Sequence, residues 1–157
     1  MFKTPKQMLK HTKDLAKQLS EVKKKEVAIG LPKSKATGKV YRNGSTIIEV
    51  GAKHEYGIGL PRRSFLRMPL AIKNKEIGKA IESEYKQILE NNKSVDKALG
   101  LIGARAYNII QQAFLTGGFG QWQSLSDYTV AMKESSRILI DTGILKNAVT
   151  WVVRNAT

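Results

Sequence analysis

The sequence contains no cysteine and only two histidines, His11 and His54. The absence of cysteine excludes disulfides, thiol catalysis and thiolate metal sites, and two histidines are too few for a histidine-rich metal cluster. No apolar run approaches the roughly 18 residues of a membrane-spanning helix, and the first ten residues hold no apolar signal core. We therefore expect a soluble intracellular product, and we predict no cofactor.

Acidic residues are also scarce. The chain has 13 Asp and Glu against 27 Lys and Arg, which gives a formal net charge of +14. The excess lies mainly in residues 1–42, which hold twelve basic and three acidic side chains. Such a patch suits phosphate backbones or an acidic partner surface. A solvated lysine-rich helix and loop explains it equally well.

The first third of the chain predicts a helix followed by an antiparallel sheet. Apolar residues at helical spacing predict a basic amphipathic helix over about 4–23. The alternation in KEVAIGLP predicts a strand that Pro32 ends. Two β-rich runs around Asn43 and Gly44 predict a hairpin, because this pair suits a tight turn with positive φ.

The remainder predicts mainly helix. Apolar spacing indicates one long helix over about 70–91 and a second, with Ser94 as a candidate cap, to about Leu115. A glycine-rich loop follows, then a short helix capped by Ser126, another over 143–149, and the closing strand VTWVVR.

This order of elements predicts a single α+β domain over 1–157, with a small, mainly antiparallel sheet packed against two long helices. Its segments are a basic N-terminal helix (1–24), strands and a hairpin (25–51), a docking loop (52–69), two helices (70–116), and a Trp loop with short helices and a closing strand (117–157).

The stretch AKHEYGIGLPRRSFLRMP at 52–69 suggests chemistry, but neither obvious site can be completed. HEYGI resembles half of a zinc-protease helix, yet the second histidine would fall on Ile58. GIGLPR holds only a fragment of a dinucleotide fingerprint, because Pro61 interrupts it and the third glycine is missing.

The sequence ILIDTGIL at 138–145 suggests an aspartic protease, because Asp-Thr-Gly after an apolar run presents the catalytic carboxylate of that class. Only sixteen residues follow Asp141, and the chain reads largely as helix, whereas that fold is nearly all β. We favour a structural role, in which Asp141 or Thr142 caps the short helix that begins near Gly143.

The roles of the arginines and aromatic residues of this stretch, and of Trp122, remain open between alternatives. Phe65, Leu66 and Met68 fit core anchors at a helix start, with Ser64 as its N-cap. The arginines, Arg62, Arg63 and Arg67, suit either phosphates or carboxylates across a subunit interface. Trp122 fits equally an anchor within its own domain and an interface hot spot.

Three segments together resemble a known family. AKHEYG followed by LPRRSFLR is similar to the HEFG…IPxRxFLR signature of neck and tail-completion proteins of long-tailed bacteriophages. W-x-x-L-S-x-x-T at 122–129, a lysine, and ILIDTGILKNAVTW at 138–151 resemble the ending of the same family. The resemblance spans about 45–152.

The matched positions occur in the family's order. They are His54, Glu55, Tyr56, Gly57, Pro61, Arg63, Phe65, Leu66, Arg67, Trp122, Leu125, Ser126, Thr129, Lys133, Asp141, Thr142, Gly143 and Leu145. The chain departs from the pattern at Ser64, where proline often stands, and at Ala148 and Val149, where serine and isoleucine are usual.

The resemblance implies a structural, non-catalytic virion subunit with a tail-terminator-like fold. Such a protein forms a ring, which we expect to be a hexamer, between the connector or head-closure proteins and the tail tube, after assembly in the host cytoplasm. No membrane partner is expected. The candidate interface residues are His54, Glu55, Tyr56, Gly57, Pro61, Arg62, Arg63, Phe65, Leu66, Arg67 and Trp122, and the candidate cap and turn residues are Asn43, Gly44, Asp141, Thr142 and Gly143.

A ring around a DNA channel would also give the positive charge a use, since lysines facing the lumen would meet phosphates. The candidates are Lys23, Lys24, Lys25, Lys33, Lys35 and Lys39. The alternative function is a non-specific nucleic-acid-binding protein that uses the basic N-terminal region, which lies outside the resemblance.

Overall fold

The computed structural model describes residues 4–33, 41, 43–132, 136–140 and 143–156. The predicted α+β class is confirmed, with a small antiparallel sheet and several helices. Within the described residues the elements are α1 (Pro5–Lys23), β1 (Lys25–Gly30), α2 (Ile47–Tyr56), α3 (Arg67–Ile72), α4 (Asn74–Asn91), α5 (Val95–Leu115), α6 (Asp127–Met132), α7 (Ile144–Ala148) and β2 (Thr150–Asn155). In these same ranges no helix combines the length and apolar character that crossing a bilayer requires.

The basic N-terminal helix α1 forms as predicted. Thr4 and Gln7 make a reciprocal capping box: the Thr4 hydroxyl accepts the Gln7 N–H at 3.3 Å, and the Gln7 amide oxygen accepts the Thr4 N–H at 3.1 Å. None of its described side chains is fully buried. The helix is fixed to the domain by Val22, which packs on the core, and by a hydrogen bond from Gln18 to Asn92.

Both predicted strands pair with each other. β1 and β2 run antiparallel, with Val27 opposite Val153 and Ile29 opposite Trp151. The sheet packs on α5, where Gly103 allows close approach: a Cβ there would come within 2.6 Å of the Trp151 ring. The segments VTWVVR and KEVAIG therefore form the sheet, which has two strands in the described part of the chain.

The hairpin predicted around Asn43 and Gly44 is wrong for its second strand, which is helical from Ile47, although the turn forms and the Tyr41 N–H donates across it to the Ser45 carbonyl at 2.9 Å. Gly44 has φ +80°, its N–H donates to the Tyr41 carbonyl at 2.8 Å, and the Asn43 side-chain oxygen accepts the Ser45 N–H. The β-rich run after the turn is helix α2 instead of a strand. The preceding run lies largely outside the described residues.

A capping box explains why α2 forms. The Thr46 hydroxyl accepts the Glu49 N–H at 3.2 Å, and the Glu49 carboxylate accepts the Thr46 N–H at 2.8 Å. These bonds satisfy backbone donors that a helix start leaves free. They also hold the pKa of Glu49 below its ordinary value, chiefly through the bond from the Thr46 backbone. This local signal, together with burial of Ile47, outweighs the β-propensity of the isoleucines and valine.

The long helix predicted over 70–91 is two helices. Backbone geometry departs from helical at Lys73, which separates α3 from α4, and α3 begins earlier than expected, at Arg67. The second long helix, α5, agrees with the prediction. Ser94 occupies its N-cap position without a side-chain capping bond, whereas the Ser126 hydroxyl does accept the Thr129 N–H ahead of α6.

Helix α5 carries both parts of the core. Its N-terminal half contributes to a cluster of buried residues formed by Ile88, Val95, Ala98, Leu99 and Ile102. Its C-terminal half contributes to a larger cluster formed by Ile47, Phe65, Ile110, Ala113, Phe114, Trp122, Leu145, Ala148 and Val149. The larger cluster brings α2, the segment before α3, the Trp122 loop and α7 to one place.

Candidate functional site

A buried carboxylate organises the stretch from Ala52 to Pro69. Glu55, in the last turn of α2, is only 5% exposed. Its Oε1 accepts the Ser64 hydroxyl at 2.7 Å and the Arg67 N–H at 3.2 Å. Its Oε2 accepts the N–H groups of Phe65 at 2.8 Å and Leu66 at 3.0 Å. We call Glu55 together with residues 64–67 the Glu55 corner.

The Glu55 carboxylate serves as the N-terminal cap of α3. The N–H groups it accepts come from the residues just before and at the start of that helix, where no intrahelical acceptor exists. A negative charge is also favourable at the positive end of a helix dipole. Ser64, predicted as the N-cap, lies two residues before the actual N-cap residue, Leu66, but it still contributes, since its hydroxyl accepts the Met68 N–H at 3.0 Å.

The corner keeps Glu55 ionised despite its burial. Desolvation by itself would raise the pKa of Glu55, but hydrogen bonds from the Leu66 N–H, the Ser64 hydroxyl and Arg67 outweigh it and lower the pKa below 4.5. The Arg67 Nε–H donates to Oε1 at 2.9 Å, and this bond raises the pKa of Arg67. A buried, ionised and saturated carboxylate is a structural group, because no lone pair remains directed at solvent or substrate.

Arg63 joins the corner to the Trp122 loop. Its side chain is buried, with Nε donating to the Gln123 carbonyl at 3.0 Å and Nη2 to the Ser124 carbonyl at 3.1 Å. Its backbone N–H donates to the His54 carbonyl at 2.9 Å. Burial lowers the pKa of Arg63 from its ordinary value. The guanidinium therefore fixes a loop through backbone carbonyls instead of binding a phosphate or carboxylate.

Trp122 is an anchor within its own domain, which decides between the two roles left open by the sequence. It is 5% exposed, and its indole N–H donates to the Ser64 carbonyl at 3.1 Å. Its ring meets Phe114 edge-on at 5.8 Å, and Phe114 lies 5.5 Å from Phe65. Phe65, fully buried, is the core anchor that the sequence predicts.

Gly57 makes the sharp exit from α2 possible. It closes the helix in the left-handed conformation, with φ +74° and its N–H bonded to the Lys53 carbonyl at 2.8 Å. A Cβ at this position would lie 2.9 Å from the Arg62 Cβ. Only glycine meets both the backbone and the packing requirement, so HEYG forms a packed corner.

The prediction that 52–69 is an exposed docking loop is wrong for much of its length. Residues 52–56 belong to α2, and four candidate interface residues, Glu55, Arg63, Phe65 and Trp122, are buried inside the chain. Their polar groups and rings are used to cap α3, to hold the Trp122 loop and to fill the core. His54, Gly57 and Leu66 are half-buried, and the exposed candidates are Tyr56, Pro61, Arg62 and Arg67.

A cavity of about 240 Å³ lies beside the corner. Six of its lining residues come from the three motif-bearing segments of the sequence, namely His54, Arg63, Leu125, Thr129, Gly143 and Leu145. These segments therefore converge on one region. Gly143 stands at the start of α7 with φ +77°. Asp141, Thr142 and Lys133 lie outside the described residues. The capping role expected of Asp141 or Thr142 therefore stays a prediction.

The lysines proposed for DNA contact are in different situations. Lys23, Lys24 and Lys33 are exposed, whereas Lys25 is held 2.5 Å from the Asp96 carboxylate. Lys35 and Lys39 lie outside the described residues. The first three therefore remain candidates, and Lys25 is engaged within the fold.

The candidates for DNA contact named from the sequence do not include four lysines nearer the N-terminus. These are Lys6, Lys10, Lys13 and Lys17, which are all exposed on α1. Their spacing of four, three and four residues is the signal that could have found them, since it places them on one side of a helix.

The described residues contain no group of three His, Asp or Glu side chains that could hold a metal ion. The chain was compared with protein-family models, curated proteins and solved structures, and none matches. The case for a function therefore rests on the residues and contacts of this chain.

Proposed function

We propose that this protein is a structural virion protein of a tailed bacteriophage. It forms a ring at the head–tail junction, as a neck, tail-completion or tail-terminator protein, and joins the tail tube to the head connector. The observation that carries the proposal is the meeting of the HEYG, LPRRSFLR and Trp122 segments in one set of contacts. For example, the Trp122 indole N–H donates a hydrogen bond to the Ser64 carbonyl, 58 positions away in the sequence.

These contacts give a physical reason for the ordered pattern on which the resemblance depends. Glutamate is needed to accept the N–H groups before α3, arginine to reach two carbonyls, and tryptophan to fill the core while donating one hydrogen bond. A set of residues that depend on each other in space supports a shared fold more strongly than separate short matches. The α+β class with an antiparallel sheet on helices is compatible with the tail-terminator-like fold that the resemblance implies.

The exposed edge of the Glu55 corner is the surface we assign to docking. It consists of Tyr56, Ile58, Arg62 and Arg67, and we call it the rim. Tyr56 is 60% and Ile58 57% exposed, and the Arg67 guanidinium lies 4.5 Å from the centre of the Tyr56 ring. Tyrosine and arginine are the residue types enriched at interface hot spots.

The rim is held in place by the buried contacts beneath it. Arg67 is fixed by Glu55, and the backbone at Arg62 is packed against Gly57. A surface whose side chains are ordered before binding loses less conformational entropy when a partner docks. A closed ring needs two different contact surfaces on each subunit, and the rim is suited to be one of them.

A complementation experiment tests this function. A phage whose copy of this gene is deleted should yield heads and tails that do not join, and the wild-type chain should restore joined particles, counted by negative-stain microscopy. Tyr56→Ser with Arg62→Ser should restore few joined particles. Tyr128→Ser, which alters a tyrosine that is 76% exposed elsewhere, is the control and should restore them fully. Joined particles in the complete absence of the chain would refute the proposal.

The alternative is a non-specific nucleic-acid-binding protein that acts alone. Size-exclusion chromatography with light scattering at high salt separates the two functions. A discrete ring, or a chain that assembles only on tail tubes, favours the virion protein, whereas a lone monomer that is absent from purified particles favours the alternative.

A further inference from the structure

Helix α1 carries a straight row of lysines on one side. Lys6, Lys10, Lys13 and Lys17 follow each other at intervals of four, three and four residues, and all four are exposed. At 100° per residue they fall within an arc of roughly 60°. We call these four residues the lysine row. Lys24, the C-cap residue of α1, continues it on the same side.

The row is not neutralised within the described part of the chain. None of its four lysines is in an ion pair there, whereas Lys25 is paired with Asp96 and Lys93 with Glu84. The two acidic residues of α1, Asp14 and Glu21, lie at the flank of the row, toward the side of the helix that meets the domain. The row is therefore a line of positive charge that the fold leaves available.

The orientation of α1 turns this row away from the domain. The helix meets the domain through His11, Leu15, Gln18 and Val22, which line the contact with the end of α4 and with the core. This side is roughly 140° away from the row around the helix.

Two of the three exposed large apolar side chains of α1, Met8 and Leu19, lie on a third side, roughly 160° from the row. The third, Leu9, is 58% exposed, lies roughly 70° from the row and borders the same surface hollow as Lys6, Lys10 and Lys13. A bilayer surface would have to meet this apolar side and the lysines together, as interfacial helices do. The row presents four lysines beside a single exposed apolar side chain, so charge dominates what it offers to a partner.

The spacing of the row suits a regular polyanion. From Lys6 to Lys17 the helix rises by roughly 16 Å. Duplex DNA carries one phosphate charge per about 1.7 Å of its axis, so a row of this length can reach several phosphates. Lysine heads on flexible stems contact phosphates as point charges without reading bases.

We propose that the lysine row of α1 binds the phosphate backbone of nucleic acid, without sequence specificity. The proposal concerns the isolated chain and does not depend on ring formation or on the rim. It also assigns the contact to residues 6–17 of α1 instead of to the loop lysines that follow β1.

The test is binding of the purified chain to a labelled duplex of about 30 random base pairs, followed by fluorescence anisotropy as salt is varied. If the four lysines each neutralise one phosphate, log K should fall with log salt with a slope of roughly −3.6. The affinity should then drop about 150-fold between about 50 and 200 mM salt. Changing all four lysines to glutamine should weaken binding by about 100-fold at the lower salt and flatten the slope.

A matched control removes the same amount of charge elsewhere. Lys53, Lys75, Lys79 and Lys97 are exposed lysines on α2, α4 and α5, and changing these four to glutamine should leave the affinity within about fivefold. Equal losses in both quadruple variants would overturn the proposal, because net charge and not the row would then set the affinity. No detectable binding by the wild-type chain at the lower salt would also overturn it.

Two further measurements keep the result interpretable. A variant with arginine at the four row positions should bind as tightly as the wild type, which excludes loss of fold as the cause. The second measurement uses vesicles that contain anionic lipid. Both the wild type and the variant with glutamine at the four row positions should bind these vesicles more weakly than the wild type binds the duplex. Row-dependent binding to vesicles without binding to the duplex would overturn the proposal in favour of a membrane surface. The rim variant, Tyr56→Ser with Arg62→Ser, should bind DNA as the wild type does. A failure of the DNA-binding proposal is therefore distinguishable from a failure of the proposed virion function.

Discussion

The Glu55 carboxylate accepts the backbone N–H of Phe65 at 2.8 Å, and both residues are buried. This contact fixes the end of α2 against the segment that starts α3. It also sets the depth at which the Phe65 ring enters the core against Phe114. Glu55 and Phe65 are thus joined in one set of buried contacts, and the exposed rim lies next to them.

Glu55→Gln should destabilise the protein by about 3 kcal/mol. The glutamine amide keeps the size of the side chain but turns two donors toward backbone N–H groups, so buried donors lose their acceptors. Urea unfolding followed by circular dichroism measures the change. Glu82→Gln, at an exposed position of α4, should leave the midpoint unchanged. A similar midpoint for the Glu55 variant and the wild type would show that the carboxylate is not needed for the corner.

The contribution of Glu55 should depend on pH with a defined sign. Its pKa is lowered in the folded protein from the ordinary 4.5, so the folded state favours the ionised form. The stabilisation is therefore fully present above about pH 4.5 and is lost as the pH falls through the lower, folded-state value. The difference in unfolding free energy between wild type and Glu55→Gln should be constant near neutral pH and shrink below 4.5. A difference that grows on acidification would contradict the assignment.

Arg63→Lys should cost about 1–3 kcal/mol, because a lysine cannot donate to the Gln123 and Ser124 carbonyls with the same fork geometry. Arg62→Lys is a matched control, since Arg62 is adjacent and exposed. Hydrogen exchange should show faster exchange in the Trp122 loop for the first variant and no change for the second. Equal effects of the two substitutions would show that Arg63 does not hold the loop.

Gly57→Ala should destabilise the protein more than Gly59→Ala, by about 1 kcal/mol or more. Both glycines have positive φ, +74° and +70°, so both substitutions strain the backbone. Only at Gly57 would the new Cβ meet a neighbour, the Arg62 Cβ at 2.9 Å, whereas nothing lies within 4 Å at Gly59. Thermal unfolding of the two variants separates these contributions. An equal loss at both sites would mean that the corner can open without cost.

The elements with strong periodicity could be predicted from the sequence. The apolar spacing in α5, the alternation in β1 and β2, and the basic amphipathic pattern of α1 all lead to the observed elements. Each of these signals is local and repeated over many residues, so one misleading position does not change it.

The hairpin prediction failed where two local signals conflict. Residues 46–50 are β-branched apart from Glu49, which favours a strand, but Thr46 and Glu49 stand three apart as a capping box. The capping box was visible in the sequence and predicts the helix start correctly. In this segment the capping box outweighs β-propensity.

The burial of Glu55 and Arg63 could not be predicted from pattern. Their partners are backbone groups at positions without periodicity, such as the carbonyls of Gln123 and Ser124, about 60 residues away. A charged side chain at a turn is ordinarily exposed. The resemblance identified these residues as important but assigned them to an outer surface, whereas they act from inside the fold.

The central proposal, that this chain is a head–tail junction protein of a tailed phage, is tested most directly by a cryo-electron microscopy map of that junction. We predict a closed ring of copies of this protein between the connector and the tail tube, with Tyr56 and Arg62 at a contact between subunits or with a neighbouring protein. A particle whose junction is complete and contains no copy of this chain would contradict the claim.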